Sequence, residues 1–232
     1  MPSKIMAIAA HPGDALFTMG ATVAQHIHNG GGGVFVSLSL GEKGAPKNIS
    51  VAEYGAMQRT ATEKAAKMLG AEAVLLTYPD AEIPLNDQIV FAVCDLIREH
   101  KPAIIVTHWS GSWHKDHQNC HMIVRDAIFY AGLGTIARAL PPHDPGKTFY
   151  ADNWEDATNF QPDTYLDITP VCEKWLEACD LYPMWRGQTG FFRYNDYYRS
   201  LAVMRGCLSG FKYAVALMTD PNQRLYKVRS LG

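Results

Sequence analysis

Several kinds of pattern are missing from this 232-residue sequence, and each absence removes a class of protein. Lysine and arginine number 21 against 23 acidic residues, so there is no basic excess of the kind that binds nucleic acid. No apolar run approaches the length of a membrane span, and the apolar stretch 5–10 is too short for the core of a signal peptide. We therefore expect a cytoplasmic globular protein that has neither nucleic acid nor membrane as a partner.

Cysteine and glycine motifs are also scarce. The five cysteines are odd in number and include no CxxC pair, so we expect reduced and mostly buried thiols, as in a reducing compartment. The sequence has no GxGxxG after its first predicted strand and no GxxxxGK[ST]. These absences argue against a nucleotide-binding enzyme.

What is present is an alternation of strand-like and helix-like segments over about the first 135 residues. Short apolar runs predict four buried strands: 4–10, 34–40, 73–76 and 103–107. Between the first two, Leu16, Met19 and Val23 recur at helical spacing, and we predict a single helix over 15–29 that ends at four glycines. The alternation predicts an α/β fold: a three-layer, Rossmann-like, mostly parallel sheet with helices on both faces.

The remaining third of the chain is less regular and contains several prolines. We predict strands near Phe149 and at 165–168, and helices at 171–181 and around 200–210. The length suits one domain spanning 1–232, with a core of about 1–135 and a C-terminal elaboration of about 136–232.

Two polar loops follow the first and fourth predicted strands. The first contains His11 and Asp14, and the second contains His114, Asp116 and His117. Because ligands in open parallel sheets bind outside the carboxyl ends of the strands, we expect these side chains to meet at one edge. Two histidines and one carboxylate are a common donor set for a catalytic divalent metal with open positions for water and substrate. His11, Asp14 and His117 are the candidate ligands.

A plainer interpretation of the same residues stays open at this point. His11 simply ends a strand in that case, and Asp14 is the N-cap of the helix that follows. If the site does bind metal, we expect Zn²⁺, with another divalent ion as the alternative.

The two loops carry motifs that resemble those of the family named after PIG-L and LmbE, which comprises metal-dependent N-acetylglucosaminyl deacetylases. AHPGDA at 10–15 resembles AHPDDE, and HKDH at 114–117 resembles HPDH. GEKG at 41–44 and YPD at 78–80 lie between them in the family's order. The resemblance implies a zinc-dependent hydrolase that removes the acetyl group from an N-acetylated amino sugar or a related small conjugate. It also implies a homo-oligomer.

The resemblance assigns roles to individual residues. It implies that His11, Asp14 and His117 bind zinc. His114 matches a histidine that stabilises the oxyanion or protonates the leaving amine, and Asp116 matches an acidic residue that supports the histidines.

Two further residues are expected to bind substrate. Asp80 matches a substrate-contacting aspartate. Arg59 lies beside Gln58, which occupies the place of an arginine often found in the family, so Arg59 is assigned to the substrate as well.

The departures from the family pattern concern proton transfer. Gly13 stands where AHPDDE has the aspartate regarded as the general base, and Ala15 replaces the glutamate. A positioned base commonly contributes about 10² to 10⁴ in rate, so its loss lowers activity while leaving a binding site. Asp116, Glu42 and Asp80 are candidates to replace it. The alternative function is a catalytically degenerate metal- and sugar-binding protein of the same fold.

Three other features have two interpretations each. His121 lies on the same helix face as His117, and a satisfied helical histidine is favoured over a further ligand. The aromatic-rich segment 185–198 either lines a sugar site or belongs to the core. The polar cluster 153–156 is a loop by default, with substrate contact as the alternative.

Overall fold

The computed structural model describes residues 3–156 and 158–221. Its strands are β1 Lys4–Ala9, β2 Gly32–Ser37, β3 Glu72–Leu75, β4 Ile104–Thr107, β5 Lys147–Ala151, β6 Thr164–Asp167 and β7 Ala214–Thr219. They form a seven-stranded sheet in the order β3-β2-β1-β4-β5-β7-β6. Strands β1 to β5 are parallel, whereas β7 runs antiparallel between β5 and β6.

The helices are α1 Pro12–Phe17, α2 Gly20–His28, α3 Val51–Leu69, α4 Asp87–His100, α5 Lys115–Gly132, α6 Cys172–Cys179 and α7 Tyr194–Ser209, with a short 3₁₀ turn at Glu42–Gly44. Local sequence explains several of their ends. The side chains of Ser50 and Asn86 accept hydrogen bonds at the starts of α3 and α4. Gly70 ends α3 in the left-handed conformation at φ 83°, which a residue with a Cβ rarely adopts.

The sheet separates two hydrophobic layers. Ile5 and Ala7 of β1 pack towards α1, α2, α3 and α6, while the alternating Met6 and Ile8 pack towards α4 and α5. All four side chains are buried, as expected for a central parallel strand covered on both faces. The predicted three-layer α/β fold with a mostly parallel sheet is confirmed.

The single helix predicted over 15–29 is wrong, because the chain forms α1 and α2 there. The carbonyl of Leu16, which a continuous helix would pair with the amide of Gly20, instead accepts a hydrogen bond of 2.7 Å from Trp175 Nε1. A Cβ at Gly20 would lie 3.0 Å from Trp175 Cδ1. A tryptophan from α6, distant in sequence, therefore sets this break.

The C-terminal region also contains a strand that sequence patterns did not predict. Strand β7 inserts between β5 and β6, and α7 begins at Tyr194, earlier than the helix expected around 200–210. Four of the five cysteines are buried and none is paired, as expected. Within the described ranges, no helix is both long and apolar enough to cross a membrane.

Candidate metal centre

The candidate ligands lie between two neighbouring strands whose following helices cover opposite faces of the sheet. Strands β1 and β4 are neighbours, and the helices that follow them, α1 and α5, pack on opposite faces. The loops after the two strands therefore border one crevice at the carboxyl edge, the usual place for a ligand in an open parallel sheet.

Three predicted ligands converge in this crevice. Asp14 Oδ2 lies 2.9 Å from His11 Nδ1 and 3.0 Å from His117 Nε2. One donor atom from each of the three residues lies within 4.8 Å of the others. His11 is the N-cap residue of α1 but makes no capping hydrogen bond, and Asp14 lies within the first turn rather than at the cap. The capping interpretation therefore does not account for these side chains.

Each imidazole has a carboxylate beside its other nitrogen. His11 Nε2 lies 3.0 Å from Asp80 Oδ1, and His117 Nδ1 lies 2.8 Å from Glu155 Oε2. Carboxylates in this position orient metal-binding histidines and make them more basic. The two rings are thus held with His11 Nδ1 and His117 Nε2 directed at the same carboxylate oxygen of Asp14.

A second group of donors lies on the opposite side of the His11 ring. His11, Asp80 and Asp116 also offer atoms within 4.8 Å of one another, and Asp116 Oδ2 is 3.5 Å from His11 Nε2. This group has one imidazole and two carboxylates. The first group has two imidazoles and one carboxylate, which fits zinc better, so we place the candidate centre there.

The electrostatics of the cluster favour cations. Burial lowers the pKa of His11, but Asp116, Asp14 and Asp80 outweigh burial and hold that pKa well above its ordinary value. Burial is likewise outweighed at His117, where Asp14 and Glu155 raise the pKa to about 9. Carboxylates that retain protons on two buried imidazoles provide the negative potential that a divalent ion would meet.

His114 differs from these two histidines because it stays neutral. Burial and the neighbouring His117 lower its pKa. Its Nδ1 accepts a hydrogen bond of 3.2 Å from the backbone N–H of Asp116, which leaves the proton on Nε2 by this hydrogen-bond assignment. Its ring lies 5.0 Å from that of His11, between centroids, and it lines the cavity as a neutral N–H donor.

A cavity of about 300 Å³ opens beside the candidate ligands. Asp80, His114 and Glu155 contribute polar groups to its wall. Lys43 lines it too, and in the described part of the chain no other lysine or arginine does. Arg59 lies on α3 outside the lining, whereas the adjacent Gln58 is 2% exposed and lines the cavity. The role of Arg59 in substrate binding therefore stays a prediction.

Gly13 opens the cavity towards an apolar wall. A Cβ at Gly13 would lie 3.2 Å from Phe17 Cε2, so the Phe17 ring borders the space that a side chain would enter. The ring packs against Trp185 at 4.9 Å and Tyr194 at 5.6 Å, between centroids. The place of the family's base is therefore next to a well-packed aromatic ring.

The three candidates to replace that base have other contacts. Asp80 and Asp116 lie beside His11 Nε2, the nitrogen that is not directed at Asp14. Glu42 Oε1 accepts a hydrogen bond of 2.9 Å from the backbone N–H of Asp80, and Glu42 does not line the cavity. Each of them supports the position of another group.

The sequence motifs assign no role to His108 or Glu155, whereas a satisfied helical histidine is favoured for His121. His108 accepts a hydrogen bond of 3.1 Å from the backbone of Ala10 and stacks on His117 with a centroid distance of 4.0 Å. His121 Nδ1 lies 3.0 Å from the carbonyl of His108, so the satisfied helical histidine is confirmed. Glu155 belongs to the polar cluster 153–156, and no sequence motif separates it from its neighbours there. Its position in the structure does, because its Oε2 lies 2.8 Å from His117 Nδ1.

Comparison with known proteins agrees with this architecture. Residues 6–128 match the PIG-L family, described as GlcNAc-PI de-N-acetylase. The chain is 25% identical over 231 residues to diacetylchitobiose deacetylase from Thermococcus kodakarensis, covering 94% of this chain and 83% of that protein. It is 24% identical over 219 residues to 4-oxalmesaconate hydratase from Pseudomonas putida, covering 87% of this chain and 79% of that protein.

Two solved structures share the fold. The crystal structure of 4-carboxy-2-hydroxymuconate hydratase from Pseudomonas putida KT2440 has a TM-score of 0.87 at 20% identity, covering 98% of both chains. N,N'-diacetylchitobiose deacetylase from Pyrococcus horikoshii has a TM-score of 0.80 at 22% identity, covering 94% of this chain and 84% of the other. Because the family match covers residues 6–128, more than half of the sequence, and includes both loops that carry the candidate ligands, the chain belongs to the PIG-L family.

Proposed function

We propose that the protein is a metal-dependent hydrolase, with zinc as the expected ion, that removes the acetyl group from an N-acetylated amino sugar or a related small conjugate. The observation that carries the proposal is the convergence of His11 Nδ1 and His117 Nε2 on one oxygen of Asp14, at 2.9 and 3.0 Å. The adjoining cavity of about 300 Å³ and the deacetylases among the relatives support it.

The residues of the chain have distinct parts in this reaction. When bound by His11, Asp14 and His117, a divalent ion polarises the acetyl carbonyl and increases the acidity of water. His114, a neutral imidazole with its proton on Nε2, donates a hydrogen bond to the carbonyl oxygen as negative charge develops there. The water oxygen adds to the carbonyl carbon, its two protons pass to the departing nitrogen as the C–N bond breaks, and acetate and the protonated amine leave.

Proton transfer is where this chain is weakest. Gly13 has no side chain to accept a proton, and the cavity carboxylates Asp80 and Glu155 lie within 3.0 Å of imidazole nitrogens. A positioned base contributes about 10² to 10⁴ in rate. We therefore expect slow turnover on N-acetyl substrates.

Substrate contacts complete the proposal. Asp80 lines the cavity, and Gln58 Oε1 is buried without a hydrogen-bond partner among the described residues. A buried acceptor of this kind favours a ligand hydroxyl or N–H. We keep Asp80 as a proposed substrate contact and place Gln58 beside it, with Arg59 further from the cavity.

The test combines metal analysis with a substrate panel. Purified protein should retain about one equivalent of zinc or another divalent ion, as a three-ligand site with open positions predicts. Acetate release from N-acetylglucosamine and N,N'-diacetylchitobiose should depend on that ion. Metal retention without turnover on any N-acetyl sugar would favour the degenerate binding protein, and absence of metal would end both proposals.

A second candidate function is hydration of a small unsaturated carboxylic acid. Gly13 favours it, because the base expected of a deacetylase is missing. Hydratases also occur among the relatives. Incubation with 4-oxalmesaconate distinguishes the two, since a hydratase consumes the double bond without releasing acetate.

We also propose a cytoplasmic location and a homo-oligomeric state. The unpaired cysteines support a reducing compartment. Sedimentation of the purified protein measures its oligomeric state directly.

A further inference from the structure

The size of the cavity limits what it encloses. Its volume of about 300 Å³ lies at the lower end of the range of about 300 to 1,000 Å³ for small-molecule sites. One sugar-sized ring with its acetamido group suits this space. A conjugate with a second ring has to extend over the rim, so the chemistry of the rim decides which conjugates bind.

One large aromatic side chain on this rim is exposed. Trp113 precedes the cavity-lining His114, and its side chain is 58% exposed. The two rings lie 5.8 Å apart between centroids. An exposed tryptophan next to a catalytic cavity offers a flat apolar surface for a ligand.

Trp113 is continuous with further aromatic rings that reach the cavity. It meets Trp154 edge-to-face at 5.8 Å, and Trp154 stacks on Phe192 at 4.1 Å and 17°. Phe192 contacts Tyr194 at 4.8 Å, and Tyr194 lines the cavity. These four side chains form an aromatic wall from the surface to the cavity, and none of them is charged.

The loops that carry Trp113 and Trp154 are tied together. The backbone N–H of Trp113 donates to the carbonyl of Glu155 at 3.1 Å, and Trp109 Nε1 donates to the carbonyl of Thr158 at 2.8 Å. A Cβ at Gly111 would lie 2.0 Å from the same Thr158 oxygen, so the close approach requires glycine there. A wall held in this way loses little conformational freedom on binding.

We propose that Trp113, supported by Trp154, forms a subsite for a second, uncharged ring attached to the N-acetylated sugar, such as the second sugar of a disaccharide. The inference rests on the proposed function, since the first ring occupies the cavity beside the metal centre. The exposed face of Trp113 stacks against the apolar face of the second ring.

The experiment measures the binding of two probes to the zinc-loaded protein by calorimetry. N-acetylglucosamine reports on the cavity alone, and N,N'-diacetylchitobiose reports on the cavity and the rim. We expect tighter binding of the disaccharide, and we expect Trp113→Ala to reduce the ratio of the two affinities about tenfold, the scale of one aromatic contact. Trp113→Phe should retain most of the ratio.

Phe191→Ala is the matched control, because Phe191 is 91% exposed. Its loss should leave the ratio unchanged. Equal binding of both sugars by the wild type, or an equal loss of both in Trp113→Ala, would overturn the subsite alone. Failure to bind either sugar would overturn the proposed function and the subsite with it. Dissociation of an oligomer by Trp113→Ala would assign this surface to a second copy of the chain instead.

Discussion

The parallel N-terminal part of the molecule and its antiparallel C-terminal part contribute to the site in different ways. Strands β1 and β4 supply the three candidate metal ligands and His114 from their carboxyl ends. The region after β5 supplies Glu155, Trp154 and Tyr194, which border the ligands and the cavity. The first region supplies the donor set and the Asp80 carboxylate beside His11, and the second supplies the carboxylate beside His117 and the aromatic side chains that border the cavity.

This difference teaches that a metal-donor motif is only part of a catalytic site. The parallel region holds the candidate donors, but Gly13 offers no base beside them, and the ring of Phe17 borders the space that a side chain there would enter. The predictions below remove or restore one contribution at a time, beginning with the largest expected effect.

Removal of the Asp14 carboxylate, which lies beside both His11 and His117, should have the largest effect on metal binding. Asp14→Ala should weaken zinc binding by more than about 100-fold, because loss of an outer partner alone costs about 10- to 100-fold. Competition with a chelator measures this affinity. Asp126→Ala on the surface of α5, where Asp126 pairs with the exposed Arg125, is the control and should bind zinc normally. Normal zinc binding by Asp14→Ala would place the ion elsewhere.

Restoring a base at position 13 tests whether the rest of the machinery is that of a deacetylase. Gly13→Asp should raise acetate release by about 10²-fold or more. The new Cβ meets Phe17 at 3.2 Å, so overpacking should cost about 1–3 kcal/mol of unfolding free energy.

Gly13→Asn is the control for this change, since it has the same shape and steric cost but no base. The rate of acetate release and urea unfolding are measured for both variants. Equal rates in the two variants would count against the deacetylase and in favour of the hydratase or the binding protein.

Glu155 tests the contribution of the C-terminal region to the metal centre. Glu155→Ala should weaken zinc binding about 10- to 100-fold, because His117 loses the carboxylate beside Nδ1. Glu155→Gln keeps an acceptor oxygen and should recover most of the affinity. If Glu155→Ala binds zinc like the wild type, Ser112 Oγ, 3.3 Å from the same nitrogen, is sufficient to orient the ring.

The smallest expected effect is the release of protons from His11 and His117 when the metal binds. In the ion-free protein the pKa of His117 is about 9 and that of His11 is well above its ordinary value, so both imidazoles carry a second proton at pH 7. Zinc must displace these protons, so binding should release about two per ion and weaken as the pH falls. Calorimetry in buffers of different ionisation enthalpy counts them. Release of no protons on zinc binding would mean that both imidazoles are already neutral in the ion-free protein.

Local patterns predicted much of the regular region. Strand β4, Ile104–Thr107, agrees with the strand predicted at 103–107 because a short apolar run is a local signal. The break between α1 and α2 was missed because Trp175 lies far along the chain. Strand β7 was missed because an isolated apolar run does not reveal that it will pair with β5 and β6.

The amino-acid sequence by itself determined the donor types, their order and their position after strands, because these follow from residue identity and short-range periodicity. Only the tertiary structure decided that Glu155 lies against His117, that Phe17 borders the space at Gly13, and that Trp113 joins an aromatic wall. Such contacts join residues from different loops, and they depend on the order of strands in the sheet and on side-chain packing, neither of which is written in any local segment.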